Sequence, residues 1–206
     1  MPYFQKSFEG IDSCRFCHPP DKGRILFETR HFYIMLSLGP VTEGYLLINS
    51  KIHYDSIGDE FDDLVERVRQ IQARAYGACI FYEHGRAGSC LQYSEPSLHC
   101  YHAHLHCVPV NFDINHLIRN TTPTVFVNSY KEFRAAYQQC EKPYLFVHDR
   151  QMKIHFISQD IRKQYLRYLV SSQLGQEHLW DWTKYERREI IHSARKKLQP
   201  YFDAIS

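Results

Sequence analysis

The chain of 206 residues has no run of about 18 apolar residues, so no membrane-spanning helix is expected. Its first residues, MPYFQKSFEG, lack the apolar stretch and small-residue cleavage site of a secretory signal, which points to the cytoplasm. It also lacks a strong charge of either sign. A net charge of +2 gives no global argument for binding nucleic acid or a membrane. Seven cysteines, an odd number with no secretory signal, argue against a disulfide framework. No internal repeat, low-complexity tract or flexible linker breaks the sequence. The length suits one enlarged domain, or one domain with a sizeable extension. The apolar share of 44% is enough for a true core and too high for a disordered chain.

Hydrophobic patterning orders what is present. Residues 24–36 read as two short strands around a turn at Thr29-Arg30, and 44–49 as a buried strand. A helix is expected over 59–76, where Leu64, Val65, Val68 and Ile71 recur at helical spacing and Gly77 supplies the stop. Residues 78–83 read as a strand, 84–98 as a long loop, and 101–110 as another strand. A loop of that length in a compact domain is more often functional than idle. The remainder predicts strands at 124–127, 143–148 and 152–157, with helices at 129–139, 160–174 and 185–202. The division expected is a core over 1–112 and a packed extension over 113–206.

Thirteen histidines are many for this length, and four of them fall within residues 99–106. In a strand, alternate side chains share a face, so His102, His104 and His106 project together while Ala103, Leu105 and Cys107 point into apolar packing. Three imidazoles in a row make a poor core face, because each carries two polar nitrogens that need partners. Three readings fit the pattern: satisfied structural histidines, a metal site, or a nucleophilic imidazole attacking phosphorus while its neighbours donate hydrogen bonds to the developing charge. The second motif is Cys14-x-x-Cys17, which has zinc-finger spacing. A redox pair, or two ordinary reduced cysteines, are its alternatives. A thioredoxin-like site would need a strand-then-helix setting that this irregular segment lacks.

YHAHLHCVPV resembles the His-φ-His-φ-His-φ-φ motif of the histidine-triad nucleotide hydrolases and transferases. RILFETRHFYIMLSLGPVTEGYLLINSKIHYDSI is similar to that family's strand, strand, glycine, apolar strand and Lys-x-His segment. FYEHG ahead of the triad looks like a bacterial branch with adenylyltransferase-like relatives. The likeness covers about residues 12–112, and PYLFVH, KQYLR and LWDW in the tail look similar to the extension of the same branch.

The resemblance implies an α+β fold: an antiparallel sheet of about five strands with flanking helices, and a small α/β layer from the extension. It implies a nucleotide substrate cut or transferred at its α-phosphate through a covalent intermediate on His104. His106 would contact the phosphate or leaving group, and His102 would support the site. It also implies a structural zinc on Cys14, Cys17, His53 and His102, with His18 and His99 as local competitors. A homodimer is compatible with it.

Candidates for the base slot are Ile25, Phe27, Phe32, Met35 and Leu38. Ser37 stands where nucleoside-binding members often carry a ribose-holding acid. Glu83-His84-Gly85 and a longer loop replace the phosphoramidases' Asn and Gln-Ser contacts, leaving Ser97 and His99 as phosphate or leaving-group candidates. Arg162 and Arg167 are expected to hold substrate beyond the α-phosphate, with the extension itself doing no chemistry. Two alternatives stay open: an enzyme processing nucleic-acid 5′ ends, and a non-catalytic nucleotide-binding scaffold.

Overall fold

The structure is a computed structural model that describes residues 14–53, 62–85, 102–140 and 142–205. Its elements are β1 (Ile25–Glu28), β2 (Phe32–Leu36), β3 (Leu46–Ser50), α1 (Asp62–Tyr76), β4 (Ile80–Gly85), β5 (His104–Val108), β6 (Thr121–Val127), α2 (Tyr130–Gln138), β7 (Tyr144–His148), β8 (Met152–Ile157), α3 (Tyr165–Gln173) and α4 (Arg188–Asp203). Most lie where the patterning puts them. Helices α3 and α4 start five and three residues later than the apolar spacing suggests. In each case the preceding residue breaks the helical backbone: Gln164 has φ +54° and Arg187 φ +50°. Helix α2 begins where Ser129 Oγ accepts the Glu132 N–H at 3.1 Å, a side-chain cap on an otherwise orphan donor.

One antiparallel sheet of eight strands, in the order β1-β2-β3-β5-β4-β7-β8-β6, replaces the expected five strands and separate layer. The junction is β4 with β7, paired from Phe81 opposite His148 to Gly85 opposite Tyr144. Without β7, β4 would present unpaired backbone groups at an edge. The extension's strands therefore continue the sheet instead of forming a layer on it. No local sequence pattern specifies which distant strand fills such an edge.

Alternation divides the sheet into two faces. One carries Ile34, Leu36, Ile48, Phe81, Leu105, Cys107 and Phe146 into a core shared with α1, α2 and α4. The other carries Tyr33, Met35, Tyr45, Leu47, Tyr82, Leu145 and Val147 toward Ile161 and, on α3, Leu166 and Val170. Among the described residues no helix is long and apolar enough to cross a membrane.

Two glycines show how closely the chain crosses itself. The Tyr144 ring lies where a Cβ on Gly85 would stand. At Gly39, with φ +60°, a Cβ would sit 2.5 Å from the Tyr185 carbonyl oxygen and 2.8 Å from Trp182. There the segment before α4 crosses the β2–β3 turn, and Gly39 N–H donates to Glu186 O at 2.8 Å. Gly175 has a similar φ of +67° but open space around it. Substitution to Ala should cost about 1–2 kcal/mol at Gly175 from the left-handed backbone alone. At Gly39 the cost should exceed about 3 kcal/mol, because steric displacement adds to it. Urea unfolding of the two variants checks this; equal losses would mean the crossing at Gly39 is loose.

Candidate functional site

β5 lies between β3 and β4, well inside the sheet. His106 pairs with Leu47 on β3 and Tyr82 on β4, which fixes its side chain on the α3 face. His104, two residues earlier, shares that face and pairs with Asn49. The rings form a line: His53 to His102 at 5.0 Å, His104 to His106 at 4.7 Å, and His106 to His84 at 6.2 Å between centroids. Phe16 bridges the gap, stacked on His104 at 4.6 Å and 5.7 Å from His102.

Each imidazole has one nitrogen committed. His104 Nδ1 lies 2.8 Å from the His102 carbonyl oxygen, which can only accept, so Nδ1 carries the proton and Nε2 keeps its lone pair. His106 Nδ1 lies 2.7 Å from the Tyr45 hydroxyl, which lies 2.5 Å from that of Tyr82. His84 Nε2 accepts the Leu166 N–H at 3.2 Å. Burial lowers the pKa of all three, to about 3 for His84 and well below the ordinary value for His106. For His104 the bond to the His102 carbonyl opposes the effect of burial. The row is thus neutral at pH 7, the state in which imidazole is a nucleophile or a metal ligand.

Cys14, Cys17, His53 and His102 form a cluster whose ligand atoms lie within 4.8 Å of one another. His102 Nδ1 is 3.6 Å from Cys14 Sγ and 3.5 Å from Cys17 Sγ, and His53 Nδ1 is 3.3 Å from Cys17 Sγ. Tetrahedral zinc with ordinary bond lengths would set sulfur–nitrogen edges of about 3.6 Å. His102 Nε2 donates to Ser50 O at 2.7 Å, leaving Nδ1 unprotonated toward the sulfurs, the orientation a second shell imposes on a metal-bound histidine. Burial takes the His102 pKa down to about 3, so it offers a lone pair across the neutral range. The donor set fits a metal ion. Cys14 is disulfide-bonded, so four-donor binding requires it in its reduced form. His18 is exposed and outside the cluster; His99 lies outside the described residues.

The remaining sequence candidates scatter. Phe32 is buried in the helix-side core, and Phe27 stacks on Phe202 of α4 at 6.0 Å, both across the sheet from His104 and His106. Leu38 joins that core, whereas Ile25 and Met35 pack on the histidine face. Ser37 is buried beside Tyr45, its N–H donating to Tyr45 O at 2.9 Å. Ser97 lies outside the described residues. Surface grooves of about 350 Å³ beside α1 and α4 and about 440 Å³ along β1 include no histidine in their lining.

The expectation that Arg167 holds substrate fails. It is buried, and its guanidinium donates to the carbonyls of Trp180 at 2.9 Å, Leu179 at 3.1 Å and Gly39. Arg162 is exposed over the rings of Tyr168 and Trp180.

Sequence reasoning missed three residues. Asn49 is wholly buried next to His104 in register, with no partner for its Oδ1 among the described residues. Its signal was a lone amide in the apolar strand LLINS. Phe16 and Tyr45 carried no comparable signal.

Cobalt(II) added to the reduced protein should give the intense visible absorption of a tetrahedral thiolate site, saturating near one equivalent, and Cys17→Ser should abolish it. Saturation without thiolate bands would place the metal elsewhere.

No protein-family model matches the chain. No curated protein matches it. Among solved structures it is similar to a hypothetical histidine triad nucleotide-binding protein from Sulfolobus tokodaii strain 7, with 20% sequence identity and a TM-score of 0.35; the match covers 61% of this chain and 87% of that one.

Proposed function

We propose that the chain is a nucleotide hydrolase or nucleotidyltransferase that acts at the α-phosphate through His104. The observation carrying this is the His104 tautomer. With Nδ1–H held by the His102 carbonyl, the nucleophilic Nε2 keeps its lone pair beside a second imidazole, in a neutral row on one face.

The reaction has two steps. His104 Nε2 attacks the α-phosphorus of a nucleotide conjugate and a P–N bond forms. The bond from phosphorus to the leaving group breaks, and the electron pair departs with that group. The nucleotidyl-imidazolium retains Nδ1–H, whose bond to the His102 carbonyl strengthens as the ring becomes cationic. Water, or a phosphate acceptor, then attacks phosphorus. The P–N pair returns to Nε2, and water loses its proton to solvent. His106 faces the charge that develops on the phosphoryl oxygens. Asn49 supplies an amide beside the nucleophile, and Ile25, Met35 and Ser37 border the same face.

The metal is read as a structural zinc held by Cys14, Cys17, His53 and His102 in a reducing cytoplasm. Bound there, zinc fixes the 14–17 turn. Phe16, between the two cysteines, is then fixed on the His104 ring.

Dinucleotide polyphosphates, nucleoside phosphoramidates and 5′-adenylated DNA form the test panel. Turnover of the small nucleotides is expected. Selective turnover of adenylated DNA would make it an end-processing enzyme, and tight binding without turnover a scaffold. His104→Ala should lower kcat by at least about 10⁴-fold with unchanged circular dichroism. Near-wild-type rates in that variant would refute the mechanism. Elemental analysis of protein purified under reducing conditions, without added metal, should find about one zinc per chain. A fully folded, metal-free preparation would refute the zinc assignment.

A further inference from the structure

We infer that Tyr45, backed by Tyr82 and by Arg167 from the C-terminal half, is the positioning residue that holds His106 with its proton on Nε2, as a hydrogen-bond donor beside the nucleophile. This rests on the reading of His104 as that nucleophile.

The assignment follows from counting hydrogens. Tyr45 and Tyr82 are wholly buried, and their hydroxyl oxygens are 2.5 Å apart. Tyr45 Oη is also 2.7 Å from His106 Nδ1. Burial raises the pKa of both phenols, so each keeps its single hydrogen. Among the described residues Tyr82 Oη has one hydrogen-bond partner, Tyr45. If Tyr82 donates to Tyr45, and Tyr45 donates to His106 Nδ1, every hydrogen in the chain has an acceptor. In the reverse order, His106 Nδ1–H donates to Tyr45 and Tyr45 to Tyr82. The Tyr82 hydrogen then finds no acceptor among the described residues, which is the costly arrangement.

Arg167 packs on the same pair of hydroxyls from the C-terminal half. Its guanidinium lies 5.4 Å from the Tyr45 ring centroid. With Tyr82 donating to the Tyr45 oxygen, the Tyr45 hydrogen is directed to His106 Nδ1.

Adjacent histidines on one strand therefore hold opposite tautomers. His104 turns its N–H inward to a carbonyl and its lone pair outward. His106 turns its lone pair inward to Tyr45 and its N–H outward. Nucleophile and donor stand with ring centroids 4.7 Å apart. The outward N–H donates to a phosphoryl oxygen as negative charge builds, without transferring its proton. Fixed orientation by a hydroxyl gives the donor at no reorganisation cost during reaction. The extension thus reaches the chemistry through Arg167 and Tyr45, rather than by contacting substrate.

Histidine ring ¹⁵N NMR of the full chain reads the tautomer without substrate. Wild-type protein should show His106 protonated at Nε2 at pH 7. Tyr45→Phe should move it to Nδ1–H or to a mixture, and should lower kcat on diadenosine tetraphosphate by about 10–100-fold with KM nearly unchanged. Because Tyr45→Phe orphans the buried Tyr82 hydroxyl, Tyr45→Phe/Tyr82→Phe is the companion variant. It should recover stability and keep both the altered tautomer and the low kcat. An Nδ1–H tautomer in the wild type overturns the inference. So does an unaltered tautomer in the variants, or an altered tautomer with wild-type kcat. If the wild type turns over no nucleotide, the proposed function fails, and the tautomer assignment is still decided by the spectrum.

Discussion

Everything in this site depends on the strict alternation of side chains along a strand that is flanked by others on both edges. β5 sits between β3 and β4, so its backbone is committed to pairing and its side chains have only two directions to take. Leu105 and Cys107 enter the helix-side core; His104 and His106 must face the other way. An imidazole placed there needs partners for two nitrogens. The fold supplies one from inside for each: Ser50 for His102, the His102 carbonyl for His104, and Tyr45 for His106. The second nitrogen of each is left for metal or substrate chemistry. Satisfying the burial requirement and setting the tautomers are therefore one act.

Segments from the two halves of the chain meet this strand from different sides of the same face. From the N-terminal side, the 14–17 turn brings two sulfurs to His53 and His102 and lays Phe16 on His104. From the C-terminal side, α3 brings the Leu166 N–H to His84 and Arg167 to Tyr45. Arg167 is itself held by carbonyls of the 179–180 turn and of Gly39, and Gly39 is where the segment before α4 crosses. A position remote from the histidines is thus mechanically connected to them through one buried cation. The division into a core and an extension describes the order of the sequence better than it describes the sheet, in which β4 and β7 pair without interruption.

The sequence by itself determined the elements and the chemical character of their faces. Periods of two and of 3.6 placed β2, β3, α1 and β5 near their observed bounds, because those periods are imposed by local backbone geometry. The same alternation was enough to put His104 and His106 on one face, and the resemblance to histidine-triad proteins nominated Cys14, Cys17, His53 and His102 as a ligand set. Tertiary structure alone decided the rest. It chose β7 as the partner of β4, sent Phe27 and Phe32 to the far side of the sheet, and turned Arg167 from a candidate substrate contact into a buried clamp. It also brought Tyr45, 61 positions away in sequence, onto His106. Strand pairing and the filling of buried hydrogen-bond capacity join residues far apart in the chain. The partner of a given donor is set by which surfaces close on each other, and no local period records that.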